Sequence, residues 1–166
     1  LIQWKGKIYH IQNSVDMTEY DKISETARTD ELTRMLNRRG GSERLMRALE
    51  QGSRENQVVT VVLYDINELK SVNDRYGHSE GDRLLQYVAA IAKECLGRLD
   101  FMYRLSGDEF VMVFYGRDMK AADESMKRLL TRAGQERKRQ LQEYDVSFSY
   151  GIAEVCPGDM GSVEDI

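Results

Sequence analysis

The feature that most restricts the fold is a short acidic segment between two apolar runs. Residues 106–109 read Ser-Gly-Asp-Glu, with apolar residues at 101–103 before them and at 110–115 after them. Two such runs joined by a glycine-containing turn predict a β-hairpin. The hairpin tip carries the carboxylates of Asp108 and Glu109. An isolated acidic tip is usually just a solvated turn, but these carboxylates can also bind a metal ion.

A third carboxylate favours the metal interpretation. Residues 58–64 are β-branched and almost continuously apolar, which is typical of a strand buried on both faces, and Asp65 follows them directly. Asp65 alone is equally well explained as a strand-end cap. Together with Asp108 or Glu109 it offers the hard oxygen ligands that Mg²⁺ takes beside substrate phosphates. We therefore predict a magnesium site at this strand end.

Polar side chains between residues 70 and 82 suit a nucleotide. Asn73 and Asp82 offer hydrogen-bonding edges for a purine, and a carboxylate matches the paired N–H groups of guanine. Lys70 can neutralise a phosphate. His78 can donate a hydrogen bond to a ligand or serve as an ordinary helix-start residue, and the sequence does not separate these alternatives.

Composition narrows the class of protein. The 166 residues, 41% of them hydrophobic, suffice for one domain-sized core and a short appendage. A net charge of −4 argues against nucleic-acid binding, and the two cysteines are too few for a disulfide framework. No apolar run approaches membrane-spanning length and no signal peptide is visible, so we expect a cytoplasmic protein without direct membrane contact. A membrane tether upstream of residue 1 remains an open alternative.

The periodicity predicts helices at 43–51, 81–96 and 119–142, a short helix between the first two, and strands at 58–64 and 145–155 around the hairpin. This alternation predicts an α+β fold, an antiparallel sheet flanked by helices of the ferredoxin or polymerase-palm kind. Residues 4–12 alternate like a strand. Asp16 and Glu19 have capping-box spacing and open a helix, whose apolar positions fit either a short coiled coil or an ordinary linker helix.

Separated motifs give the chain a family resemblance over about residues 29–155. They are TDELTRMLNRR at 29–39, DINELKSVND at 65–74, GHSEGD at 77–82 and RLSGDEF at 104–110, with a late strand VSFSYGIA at 146–153. In this order and spacing the chain resembles the GGDEF family of diguanylate cyclases. Residues 1–15 resemble the last strand of a PAS sensor domain. The implied organisation is a PAS remnant at 1–15, a signalling linker helix at 16–28 and a GGDEF domain at 29–166 that ends early.

The resemblance implies a role for each matching residue. Asp65, the main-chain carbonyl of Ile66, Asp108 and Glu109 would bind Mg²⁺, two ions per half-site, with Mn²⁺ as a substitute. Asp108 or Glu109 would deprotonate the attacking hydroxyl. The substrate contacts would be Asn73, Asp82, His78 and Lys70, with the backbone N–H groups of Asn67, Glu68 and Leu69 on the phosphates.

The resemblance also implies the reaction and its partners. Two GTP molecules would condense to cyclic di-GMP with release of two pyrophosphates. Each subunit would hold one GTP, so the enzyme would work as a homodimer through its linker helix and facing half-sites, under the control of an upstream sensor domain.

Several positions depart from the family pattern. Ser106 replaces the first glycine of the signature, and Asn67 and Leu69 stand where aspartate and phenylalanine are commoner. Gly97 replaces the arginine of the family's product-inhibition motif, although its partner Asp100 is present. These departures leave a GTP-binding or dimerisation module without catalysis as the alternative. A second alternative is a palm-fold cyclase that uses another nucleotide. Asp82 argues against it, because a carboxylate matches the paired N–H groups of guanine.

Overall fold

The computed structural model describes residues 2–4, 7–9, 28–139 and 144–159. At its start, strands β1 (Ile2–Trp4) and β2 (Lys7–Tyr9) form an antiparallel hairpin. The sequence predicts one strand over residues 4–12. Of that range the structure describes residue 4, which ends β1, and residues 7–9, which form β2. The predicted linker helix, apart from Arg28, and the segment after residue 159 lie outside the described residues.

The remaining elements form one sheet with helices on both faces. They are α1 (Arg38–Glu55), β3 (Val59–Ile66), α2 (Leu69–Tyr76), α3 (His78–Lys93), β4 (Phe101–Ser106), β5 (Glu109–Tyr115), α4 (Met119–Arg139) and β6 (Phe148–Val155). The strand order is β4-β5-β3-β6, and every neighbouring pair is antiparallel. The predicted α+β fold is confirmed, and so is the hairpin, which is β4–β5.

Strand β3 lies between two hydrophobic cores, as its continuous apolar sequence predicts. Val62, Tyr64 and Ile66 pack on one face with residues of α2, α3 and α4. Val61 and Leu63 pack on the other face with residues of α1. Each of the fully buried valine, leucine and isoleucine side chains contributes roughly 1.5–3 kcal/mol relative to an exposed one. The alternation places the next odd-numbered residue, 65, on the α1 side of the sheet.

Helix α1 begins at Arg38, well before the predicted start at residue 43. The side chain of Asn37 caps it by accepting a hydrogen bond from the Gly40 N–H at 3.0 Å. Glycines at 40 and 41 lower helix propensity by about 1 kcal/mol each, which explains the late prediction. Gly41 is needed for packing, because a Cβ on it would lie 2.0 Å from the ring of Tyr103.

The charged residues of α4 form a solvated face. Lys127 pairs with Asp123 one turn away at 2.6 Å, and both Lys127 and Arg128 are exposed. Exposed pairs of this kind contribute only about 0–1 kcal/mol. In the ranges that the structure covers, no helix is both long and apolar enough to cross a membrane.

Candidate active site

The ends of β3 and β5 bring two of the predicted carboxylates together. Asp65 lies directly opposite Glu109 in the antiparallel register, and both residues are half-buried. Residues opposite each other in such a pair share a face, with Cβ atoms about 4.5–5.5 Å apart. Ser106 of β4 lies opposite Glu109 on its other side. The row Ser106–Glu109–Asp65 therefore crosses three strands at one end of the sheet.

The signature turn, residues 106–109, places Asp108 beside this row. Gly107 has a φ of +44°, whereas Asp108 has no positive φ, as in a type II′ turn. Glycine adopts that φ without a steric penalty. The main-chain carbonyl of Asp108 accepts a hydrogen bond from the Ile66 N–H at 3.2 Å, which ties the turn to the end of β3.

Arg104 fixes the turn from behind. Its Nε and Nη2 donate to the Gly107 carbonyl at 2.9 and 2.7 Å, and its Nη1 donates to the two carboxylate oxygens of Asp30 at 3.1 and 3.2 Å. Asp30 also accepts hydrogen bonds from the N–H and hydroxyl of Thr33. Burial opposes ionisation of Asp30, but the bonds from Thr33 and Arg104 outweigh it and lower the pKa of its carboxyl.

Asp30 and Arg104 belong to the motifs at 29–39 and 104–110, but the sequence does not predict a role for either. The structure shows that together they connect the segment 28–37 to the signature turn. The available signal is that one motif offers an acid and the other an arginine, residue types that form strong charge-assisted hydrogen bonds.

The donor set fits a divalent cation that arrives with a phosphate ligand. Within the described ranges, no group of three or more His, Cys, Asp or Glu side chains is arranged to hold a metal ion. Asp65 and Glu109 instead offer a pair of carboxylates, with the Ile66 carbonyl and Asp108 adjacent. Mg²⁺ is usually bound by one or two carboxylates plus substrate phosphates and does not need an all-protein cage.

Asn67 is hydrogen-bonded to Ser147, directly before β6, and to Ser149 within β6. Its N–H donates to the Ser147 carbonyl at 2.9 Å, and its side chain bonds the hydroxyls of Ser147 and Ser149. The Asn67 N–H thus has an acceptor within the fold. Its expected phosphate contact stays a prediction, as do those of the Glu68 and Leu69 N–H groups.

The start of α2 has the features of an anion site. Glu68, its N-cap, has a φ of +60° and makes no side-chain cap hydrogen bond. The first N–H groups of a helix have no intrahelical acceptor, and the helix dipole favours a negative charge there. A shallow depression of about 570 Å³ runs along this helix. It is lined by Glu68, Lys70, Ser71, Asp74 and Arg75.

The predicted guanine contacts lie on two adjoining helices, α2 and α3. A Cβ on Gly81 would lie 1.9 Å from Oδ1 of Asn73, so the Asn73 side chain packs directly against the α3 backbone. Gly81 immediately precedes Asp82, whose side chain is exposed. Asn73 thus lies beside the turn of α3 that carries Asp82. His78 is the exposed first residue of that helix.

Asp100 is part of the fold's internal structure. It is buried and accepts hydrogen bonds from the N–H groups of Gly97 at 2.7 Å and Tyr115 at 3.1 Å. Its carboxylate also pairs with Arg117 at 2.9 Å. A Cβ on Gly97 would lie 2.7 Å from Nη2 of Arg117. Arg117, which sequence reasoning missed, occupies the space that a larger residue at 97 would need.

Comparisons with known proteins agree with this architecture. The family profile described as "Diguanylate cyclase, GGDEF domain" matches residues 27–166. The bifunctional diguanylate cyclase/cyclic di-GMP phosphodiesterase MucR of Pseudomonas aeruginosa is 35% identical over 138 residues, 83% of this chain and 20% of MucR. The diguanylate cyclase DgcS of Shewanella oneidensis is 29% identical over 144 residues, 87% of this chain and 48% of DgcS.

A solved structure of a GGDEF domain also matches this chain. The GGDEF domain of DgcB from Caulobacter crescentus, crystallised in complex with c-di-GMP, matches with a TM-score of 0.73 and 27% identity, covering 80% of each chain. The present chain spans about a fifth of MucR and about half of DgcS.

The packing of Asn73 on Gly81 can be tested by Gly81→Ala. The added methyl group displaces the Asn73 side chain, and we expect the dissociation constant of a non-hydrolysable GTP analogue to rise about tenfold, the value of one good hydrogen bond. Isothermal titration measures it. Gly134→Ala on α4 is the matched control, because a Cβ there meets nothing within 4 Å. Unchanged affinity in a folded Gly81→Ala variant would remove Asn73 from the binding site.

Proposed function

This chain belongs to the GGDEF family of diguanylate cyclases, and we propose that it joins two GTP molecules into cyclic di-GMP with release of two pyrophosphates. The single observation that carries the proposal is the register that sets Asp65 opposite Glu109 beside the signature turn. The uncapped start of α2 lies immediately after the same strand. One nucleotide can thus bind with its phosphates at the carboxylates and its base towards α3.

Guanine is held between α2 and α3 in this proposal. The Asn73 amide and the Asp82 carboxylate supply a donor and acceptors, and the carboxylate accepts both N–H groups of the guanine edge. Adenine presents no matching pair of donors, so the site discriminates against ATP. His78 adds a contact near the start of α3, and Lys70 neutralises phosphate charge.

Asp65, Glu109, the Ile66 carbonyl and Asp108 would hold Mg²⁺, with up to two ions per half-site and Mn²⁺ able to substitute. When bound, the metal ion neutralises charge on the phosphate oxygens and lowers the pKa of the attacking 3′-hydroxyl. The carboxylate of Asp108 or Glu109 accepts the proton of that hydroxyl. The protein contributes position and fixed charge, and it needs no covalent intermediate.

One subunit provides half of the reaction site, because one bound GTP cannot close a two-fold symmetric product. We propose that two copies face each other antiparallel, so that each 3′-hydroxyl attacks the α-phosphate held by the other copy. The helix predicted at residues 16–28 would pair the copies and connect them to an upstream sensor domain. The cytoplasmic pool of GTP supplies the substrate.

A GTP-binding module without turnover is the second candidate. The side chain of Asn67, at a position where the family more often has aspartate, is hydrogen-bonded to the hydroxyls of Ser147 and Ser149. Leu69 at the start of α2 and Ser106 in the signature are the other departures. The carboxylate pair of Asp65 and Glu109 favours the enzyme over this candidate.

The proposed function predicts the outcome of one assay with two variants. The protein, incubated with GTP and Mg²⁺, should yield cyclic di-GMP by mass spectrometry. Asp65→Asn preserves side-chain shape but removes one charge at the metal site, and we expect turnover to fall at least about a hundredfold, roughly 2.7 kcal/mol of transition-state stabilisation. Circular dichroism should not change.

Asp118→Asn is the matched control. Asp118 caps α4 by accepting the Ala121 N–H at 2.8 Å, a bond that asparagine also makes. This variant should keep wild-type turnover. Product formation by Asp65→Asn at the wild-type rate would show that the reaction site lies elsewhere, and GTP binding without product in the wild type would favour the second candidate.

A further prediction concerns product control. Because Asp100 is already paired with Arg117 and residue 97 has no guanidinium, we expect added cyclic di-GMP to cause no non-competitive inhibition through this surface. Initial rates at several GTP and product concentrations measure this. Non-competitive inhibition that disappears in Arg98→Ala, a change at an exposed position, would contradict the prediction.

A further inference from the structure

Ser106, the serine in place of the first signature glycine, makes a contact that glycine cannot make. Its hydroxyl donates a hydrogen bond to Oε2 of Glu109 at 2.7 Å. The two residues are the last of β4 and the first of β5, and they are register partners. The bond therefore closes the signature turn side chain to side chain, directly beside the carboxylate of Asp65.

The backbone accepts this serine without strain. Ser106 has no positive φ, and the positive φ of the turn falls on Gly107. The freedom of a glycine is thus required at 107 and not at 106. The consequence of having serine at 106 lies in its hydroxyl group.

That hydroxyl restrains a flexible side chain. A glutamate side chain loses rotamer entropy when it is fixed in one conformation. In this chain the bond to Ser106 holds the Glu109 carboxylate in place before any ligand binds. A carboxylate has about four lone-pair positions, so the hydrogen bond from Ser106 does not by itself exhaust its capacity to bind a cation.

The restrained carboxylate of Glu109 lies next to the other predicted metal ligand, Asp65. Glu109 lies between Ser106 on β4 and Asp65 on β3, in one row across the sheet. The two carboxylates therefore share one face, and the hydroxyl limits how far the Glu109 carboxylate can swing away from Asp65.

We propose that Ser106 is a positioning residue that presets Glu109 for binding the divalent cation of the nucleotide complex. This inference rests on the proposed function and deepens it. Ser106 touches neither substrate nor cation and acts only through Glu109. Removal of the hydroxyl should weaken cation binding, and a residue that keeps the hydroxyl should preserve it.

The test measures Mn²⁺ binding, by electron paramagnetic resonance, to the protein saturated with a non-hydrolysable GTP analogue. Ser106→Ala and Ser106→Gly should each raise the Mn²⁺ dissociation constant about three- to tenfold, the value of one hydrogen bond. Ser106→Thr should restore binding to within about twofold of the wild type. Ser53→Ala, on the exposed face of α1, is the matched control and should not change binding.

A double-mutant cycle separates positioning from general stability. In a Glu109→Gln background, Ser106→Ala should have no further effect on Mn²⁺ affinity, because the partner carboxylate is already gone. Thermal unfolding verifies that each variant is folded. If Ser106→Ala fails to fold, Ser106→Gly, which carries the family's own residue, gives the answer.

The possible outcomes distinguish a failure of the proposed role of Ser106 from a failure of the proposed function. If the wild type binds neither Mn²⁺ nor the nucleotide, the proposed function fails. If the wild type binds both and Ser106→Ala or Ser106→Gly binds Mn²⁺ equally well or more tightly, the function stands and the role of Ser106 is refuted. An equal loss in the Glu109→Gln background also refutes it.

Discussion

The arrangement of the acidic end of the sheet depends on one guanidinium group. Arg104 bonds the Gly107 carbonyl through two nitrogens and Asp30 through a third. Its side chain is only 15% exposed, so these bonds form largely out of water. Without Arg104 the Gly107 carbonyl would lose both of these hydrogen bonds, and the turn would be held by the Asp108–Ile66 and Ser106–Glu109 bonds that remain. A lysine lacks the planar fork and cannot replace both sets of bonds.

The second requirement is the register of β3. This strand is buried on both faces, so its apolar side chains fix which residues point to which core. A slip of one residue would exchange the two faces and move Asp65 away from the α1 side, where Glu109 lies. The packing of Val61 and Leu63 against α1 thus determines the position of a carboxylate that takes no part in the core. The same register of β3 therefore buries its apolar side chains and places Asp65 opposite Glu109.

Much of this could be predicted from sequence because the signals are local. The apolar run at 58–64 and the runs around residues 106–109 identify the central strands, and carboxylates at their ends identify the site. What could not be predicted depends on contacts between distant residues. The glycine at 41 within α1 is explained by its packing against Tyr103, and the burial of Asp100 by its pairing with Arg117. The hydrogen bond from the Asn67 N–H to the Ser147 carbonyl is equally invisible in the sequence.

The central claim is that Asp65 and Glu109 jointly bind the cation of a bound guanine nucleotide. A crystal structure of this protein with a non-hydrolysable GTP analogue and Mn²⁺, recorded at a wavelength that reveals manganese by anomalous scattering, tests it most directly. We predict an anomalous peak within coordination distance of both carboxylates and of a phosphate oxygen, with the guanine between Asn73 and Asp82. A nucleotide bound elsewhere, or manganese bound without contact to Asp65, would contradict the claim.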